Sequence, residues 1–336
     1  MMESSDAGGG HGRLSRSVVE MVAGLSAGSM ATLIVHPLDI VKTRMQIHRT
    51  GTTPSSATAQ ARLTTVSVIK SLWQTERPIA ALYRGLTPNL MGNATSWASF
   101  FFFKSRAERA IALLKQPPLK PSSPEPRGTA AATASLEPAD FFAASLAAGV
   151  ATQVITNPIW VIKTRMLSSD RSAAGAYPSM WSGAVRLFRE EGVLGFYRGL
   201  GVGMLAVSHG AVQFAVYDPA RRMYLKRRDR KRHQTLKSGD NESVSNEATI
   251  VLSTVSKLVA GVITYPLQVL RSRLQNYDAE ERFGKGARGV VRQLWREEGA
   301  RGFYRGMVPG VIRVLPATWV TFLVYENVKY YLYLPR

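Results

Sequence analysis

The 336-residue chain contains no cysteine. That excludes a disulfide framework, a zinc–thiolate centre and a thiol nucleophile. Acids are scarce as well: 23 Asp and Glu face 43 Lys and Arg, for a formal charge of +20. An excess of this size fits nucleic-acid binding, contact with anionic lipid, or a cavity that conducts anions. The usual vehicles of nucleic-acid binding are missing: there is no zinc-finger spacing, no ribonucleoprotein aromatic signature, and no single stripe of bases. Catalytic constellations are missing too. No Gly-x-Gly-x-x-Gly sits between a strand and a helix, and no metal cluster or nucleophile–base set stands out. The chain therefore does not read as an enzyme, and no cofactor or metal is expected. The mean hydropathy is only -0.06. Such an average is compatible with membrane helices whose polar faces line a wet cavity and whose connections are charged, because both dilute the lipid-facing residues.

What is present is a repeat. An apolar helical run from Ala23 to Val35 ends in His36-Pro37-Leu38-Asp39-Ile40-Val41-Lys42-Thr43-Arg44, a proline followed at fixed offsets by an acid and two bases. The arrangement returns as Asn157-Pro158-Ile159-Trp160-Val161-Ile162-Lys163-Thr164-Arg165 and as Tyr265-Pro266-Leu267-Gln268-Val269-Leu270-Arg271-Ser272-Arg273. The period is roughly 110 residues, long for a solenoid unit. A second signature follows each copy: Leu82-Tyr83-Arg84-Gly85, Phe196-Tyr197-Arg198-Gly199 and Phe303-Tyr304-Arg305-Gly306, the last two preceded by Glu-Glu-Gly. Two linked motifs, three times in the same order, mark a triplicated unit rather than two soluble domains.

These motifs resemble those of the mitochondrial carrier family, whose hallmark is Pro-x-Asp/Glu-x-x-Lys/Arg followed by a glycine and an aromatic-basic-glycine element. The resemblance covers nearly the whole chain. It implies an all-α membrane protein: six transmembrane helices in three pseudo-threefold helix-hairpin repeats, with short helices on the matrix side. On that plan residues 17–114, 138–226 and 247–333 are the repeats, 1–16 a disordered tail, 115–137 a Pro/Ser/Ala-rich linker and 227–246 a basic linker. The tail carries Glu3 and Asp6 and so lacks the acid-poor character of a cleaved presequence. Gly24 with Gly28, and Ala144 with Ala148, put small residues four apart where helices can approach closely. Residues 63–74 and 178–189 read as short surface helices, 50–61 and 168–177 as loops, and 200–225 and 307–332 as uninterrupted fourth and sixth helices. The resemblance also implies a monomer in the mitochondrial inner membrane, contact with lipid such as cardiolipin, and no nucleic-acid partner.

The candidate site residues come from both sources. Asn89, Asn93 and Ser96 share one helical face with Trp97 beside them, and His209 and Gln213 share another. Polar residues so placed in a membrane helix face a cavity or another helix. Lys257 lies in apolar surroundings, and Arg313 has no acid near it in sequence. A buried arginine is costly unless something anionic visits it, so these two are the candidate phosphate or carboxylate contacts. The resemblance implies a mid-membrane substrate site at Gly92 and Asn93, at 206–209 and at Arg313. It also implies a matrix gate built from Asp39, Lys42, Trp160, Lys163, Gln268 and Arg271. Only Asp39 is acidic there, so Asp39–Lys163 is the one complete pair expected; Lys42 and Arg271 are left unneutralised or meet substrate. A cytoplasmic gate would use Asp218, Arg221, Glu326 and Lys329, with Asp218–Lys329 as its pair, while Lys104 and Ser105 stand where its third acid belongs. Trp160 in place of an acid resembles the branch that carries FAD, folate, NAD and pyrimidine nucleotides. Gly92 to Trp97, Ser208 to Phe214 and Tyr325-Glu326-Asn327 narrow this to FAD and folate carriers, with FAD preferred as transported substrate and folate, NAD, pyrimidine nucleotide or coenzyme A as alternatives.

Overall fold

The computed structural model of the chain describes residues 16–48, 64–115, 136–168, 176–233, 246–277 and 279–333. The expected tail (its first fifteen residues), the 50–61 loop, most of the first linker and of the 168–177 loop, and residues 234–245 of the basic linker lie outside the described residues. The described residues form thirteen helices and no strand. The first repeat comprises α1 (Arg16–Ile47), α2 (Thr65–Trp73), α3 (Pro78–Leu82) and α4 (Leu86–Lys115). The second comprises α5 (Pro138–Ser168), α6 (Met180–Gly195), α7 (Leu200–Ala206) and α8 (His209–His233). The third comprises α9 (Asn246–Gln275), α10 (Ala279–Phe283), α11 (Gly286–Gly302), α12 (Met307–Ile312) and α13 (Val314–Tyr333).

The long helices close a ring in the order α1, α4, α5, α7/α8, α9, α12/α13 and back to α1. Five segments are long and apolar enough to cross a membrane: Val22–Ile47, Ala139–Ser168, Leu200–Arg228, Ala248–Gln275 and Met307–Leu332. The sixth wall, α4, falls short in hydropathy because Asn89, Asn93, Lys104 and Arg106 interrupt it. Its 30 residues nevertheless rise about 45 Å, enough to span, and it sits between α1 and α5 in the ring. Pro37, Pro158 and Pro266 lie inside α1, α5 and α9. Each deletes one helical hydrogen bond and kinks its helix, and α1, α5 and α9 touch one another across the ring.

Two expected helices are interrupted. Between α7 and α8, Ser208 Oγ donates to the Leu205 carbonyl at 2.6 Å, taking an acceptor that the helix ladder would use. Between α12 and α13 the break falls at Arg313; Pro316 has no N–H to give to the Ile312 carbonyl. Backbone angles at Val207 and Arg313 stay in the right-handed helical region, so the course of the chain is kept. The helix α8 runs on to His233, making the first part of the basic run helical.

The two repeated motifs hold each repeat to itself and to the next. The residue before each proline differs in type but does one job. His36 Nε2 lies 2.9 Å from the Arg84 carbonyl, Asn157 Nδ2 donates to the Phe196 and Arg198 carbonyls at 2.8 and 3.3 Å, and the Tyr265 hydroxyl donates to the Arg305 carbonyl at 3.1 Å. The signature glycines Gly85, Gly199 and Gly306 all have left-handed φ, of 71°, 73° and 76°. Each also lies against the proline-bearing helix of the next repeat: a Cβ on Gly306 would stand 2.8 Å from the Lys42 carbonyl oxygen, a backbone atom that cannot swing aside. Gly306→Ala should therefore destabilise the protein by about 2 kcal/mol or more, from the left-handed backbone and the clash together. Thermal unfolding in detergent checks this, with Gly24→Ala, where a Cβ meets nothing within 4 Å, expected to leave the melting temperature in place.

Candidate functional site

The C-terminal halves of α1, α5 and α9 are clasped together by side chains at equivalent offsets from their prolines. Between α1 and α5, Lys163 Nζ lies 3.9 Å from Asp39 Oδ2. Between α9 and α1, Lys42 donates to Gln268 Oε1 at 2.8 Å, and one turn later Ser272 donates to Gln46 Oε1 at 2.7 Å. Between α5 and α9 there is no ion pair among the described residues; Thr164 donates to Gln275 Oε1 at 3.0 Å. Below these, Arg44, Arg165 and Arg273 each give Nε to a last-turn carbonyl of the next repeat, that of Leu167, Gln275 and Gln46 at 3.4, 3.1 and 3.0 Å. These carbonyls have no partner within their own helices, so the arginines close the ring by capping it.

Above the clasp lies a cavity of about 450 Å³, within the range of small-molecule sites. Four bases border it, Lys42, Lys163, Arg271 and Arg313, against one carboxylate, Asp39. Arg313, which has no acid near it in sequence, meets one in space: its Nη1 bonds Asp39 Oδ1, from the other end of the chain. Asp39 also accepts from Asn89 Nδ2 at 3.3 Å, while Asn89 Oδ1 accepts from Lys163 at 2.7 Å. Lys42, expected to be unneutralised or to meet substrate, donates to the uncharged Gln268. Trp160, at an acid position of the expected gate, has Lys163 Nζ 4.8 Å from its ring centroid.

Of the remaining candidates, Asn89 and Asn93 border the cavity, and Asn93 donates to Thr32 Oγ1 at 3.1 Å. Gly92 packs on the Trp160 ring, so its small size serves the contact between α4 and α5. Lys257 and His209 border a smaller space of about 120 Å³ that shares Lys42, Gln268 and Arg313 with the main cavity. His209 Nδ1 lies 2.9 Å from Thr264 Oγ1. Ser96, Trp97 and Gln213 border neither space; Trp97 is 63% exposed and stacks on Phe101. At the far end Asp218, Arg221 and Glu326 are exposed, and Asp218 makes no ion pair among the described residues. Lys329 lies over the Tyr325 ring, 5.4 Å from its centroid. The ring is thus clasped at the proline end.

Sequence reasoning missed the hydroxyl–glutamine bonds and the arginine caps. The signal was present: Thr43, Thr164 and Ser272 share one offset from the prolines, Arg44, Arg165 and Arg273 the next, and Gln46 and Gln275 share another. Outside the membrane segments, Glu191 shows what holds the matching surface helix. Burial disfavours its charge, yet hydrogen bonds and charge from Arg165 and Arg198 keep its carboxyl below the usual carboxylate range.

A ring of proline-bearing helices around a charged central cavity, clasped at one end, defines a membrane transporter. The chain belongs to the mitochondrial carrier family: the family described as "Mitochondrial carrier protein" matches residues 15–113, 134–228 and 242–335. It is accordingly a multi-pass transporter of the mitochondrial inner membrane. Among similar proteins is the mitochondrial FAD carrier protein of Saccharomyces cerevisiae, 34% identical over 312 residues, which cover 93% of this chain and 96% of that protein. The chloroplastic folate transporter 1 of Arabidopsis thaliana is 32% identical, over 91% of this chain and 92% of its own length. The mitochondrial nicotinamide adenine dinucleotide transporter 2 of the same plant is 29% identical, over 93% and 80%.

Proposed function

We propose that the chain carries FAD between cytosol and matrix by alternating access, and that the clasped proline end is its matrix side. The observation that carries the reading is the imbalance at the cavity, four bases around one acid, which favours a large anion. FAD has a pyrophosphate for the bases and two ring systems for the amides and apolar walls, and an FAD carrier is among the similar proteins. Arg313 is the intended contact. Its bond to Asp39 faces the cavity, so an incoming phosphate competes with Asp39 for the guanidinium, and its arrival loosens the closed end. A monomer suffices, because the cavity lies within one chain, and lipid, cardiolipin included, is the expected partner around it.

Two measurements test this. Uptake of labelled FAD into vesicles holding the purified chain should be inhibited more strongly by unlabelled FAD than by folate, NAD, pyrimidine nucleotides or coenzyme A; stronger inhibition by any of these overturns the choice of FAD. Arg313→Ala should reduce FAD uptake to the level of empty vesicles while the protein still inserts, and retained uptake would remove Arg313 from the site.

A further inference from the structure

We propose that Arg271 is an oxyanion dock on the proline-bearing helices, and that the cargo supplies the negative group which the α5–α9 leg of the clasp lacks. The threefold plan gives each leg one acid-position and one base-position residue. The α1–α5 leg has Asp39 with Lys163, and the α9–α1 leg has Gln268 with Lys42. In the third leg the acid position holds Trp160, whose ring is taken up by Lys163 and by Gly92. Arg271, opposite, receives no carboxylate among the described residues. Its Nη1 reaches Gln153 Oε1 at a long 3.4 Å, and its Nε and Nη2 are buried without a hydrogen-bond partner.

The identity of those two atoms matters. Nε and Nη2 are the side-on edge of a guanidinium, two parallel N–H donors spaced to meet two oxygens of one carboxylate or phosphoryl group. Leaving both unmade in a buried setting is costly, and Arg271 already borders the cavity. A slight parting of α5 from α9, or a rotation of the long side chain, turns the fork to a ligand there. An oxyanion on it would stand where a carboxylate at position 160 would stand, meeting the charge of Arg271 without joining α5 to α9. This inference rests on the proposed cargo only for its first probe, since any phosphoryl or carboxylate ligand of the cavity would use the same fork.

The test measures binding to the detergent-purified full chain by the rise in melting temperature with FAD, and separately with inorganic pyrophosphate, folate and NAD. Arg271→Gln should weaken FAD binding by about tenfold, and Arg271→Lys, which keeps the charge without the fork, should recover only part of it. Trp160→Glu and Trp160→Gln have the same size and differ in charge. The glutamate should raise the ligand-free melting temperature by pairing with Arg271, and should bind FAD about tenfold more weakly than the glutamine variant, having occupied the fork. Equal FAD affinity in these two variants, or wild-type affinity in Arg271→Gln, overturns the dock. If the wild-type chain binds folate or NAD and not FAD, the choice of cargo fails, and the same variants judge the dock with the ligand that binds.

Discussion

Asp39→Asn should lower the turnover of FAD uptake by about a hundredfold while tightening the apparent affinity for FAD. Asp39 bonds Arg313, lies 3.9 Å from Lys163, and accepts from Asn89 at 3.3 Å, so three helices, α1, α4 and α5, and the α12–α13 junction meet on one carboxylate. Asparagine keeps the size and some hydrogen bonding but removes the one negative charge among the cavity's bases. Without the carboxylate between them, Lys163 and Arg313 are like charges close together in a partly buried site and repel with nothing to offset it. Lys163 and Arg313 would then push the clasp open, and the closed end would no longer re-form between cycles. Arg313, released, would be more available to phosphate, which is why affinity and turnover should move in opposite senses. Initial rates across a range of FAD concentrations separate the two, with Asp39→Glu expected to restore part of the turnover. Unchanged kinetics in Asp39→Asn would remove the carboxylate from the gating cycle.

The sequence was most legible where backbone geometry and repetition coincide. Three prolines inside long apolar runs, and three glycines after an aromatic and an arginine, call for kinks and left-handed turns in any fold that keeps the copies alike; the prolines do lie inside the three long helices, and the glycines do have left-handed φ. What could not be read is what crosses the ring. Arg313 and Asp39 are separated by 274 positions, and no local pattern joins the sixth wall to the first. Trp97 lies apart from the cavity for a different reason. It lies near the face of Asn93, but a helix advances about 40° beyond a full turn every four residues, enough to carry a large ring away from the cavity onto Phe101. The breaks at Ser208 and Arg313 were hidden because each arises from one hydrogen bond diverted or missing in a run that is otherwise apolar and helical.

Glu298→Gln should cost about 3–5 kcal/mol of stability, the usual consequence of leaving a buried charge without its partner. Arg273 is 2% exposed and Glu298 4%, and they meet at 2.7 Å; Arg305 Nε approaches the other oxygen of Glu298 at 3.0 Å. The same side chain of Arg273 caps the Gln46 carbonyl, so the carboxylate fixes the arginine that closes the third repeat onto the first. The second repeat has the parallel pair Arg165–Glu191 at 2.6 Å, with the acid 17% exposed and able to recover some hydration, so Glu191→Gln should cost less. In the first repeat exposed Arg77 stands at the position of that acid, and the Arg44 bond to the Leu167 carbonyl is the longest of the three caps at 3.4 Å. The closure of the ring therefore depends most on the repeat whose acid is most deeply buried. Arg273→Met should cost more than Glu298→Gln, because it removes the inter-repeat cap along with the ion pair and leaves Glu298 buried with only Arg305. Denaturant unfolding in detergent ranks the three variants, and a smaller loss for Glu298→Gln than for Glu191→Gln would mean that burial does not set the strength of these pairs.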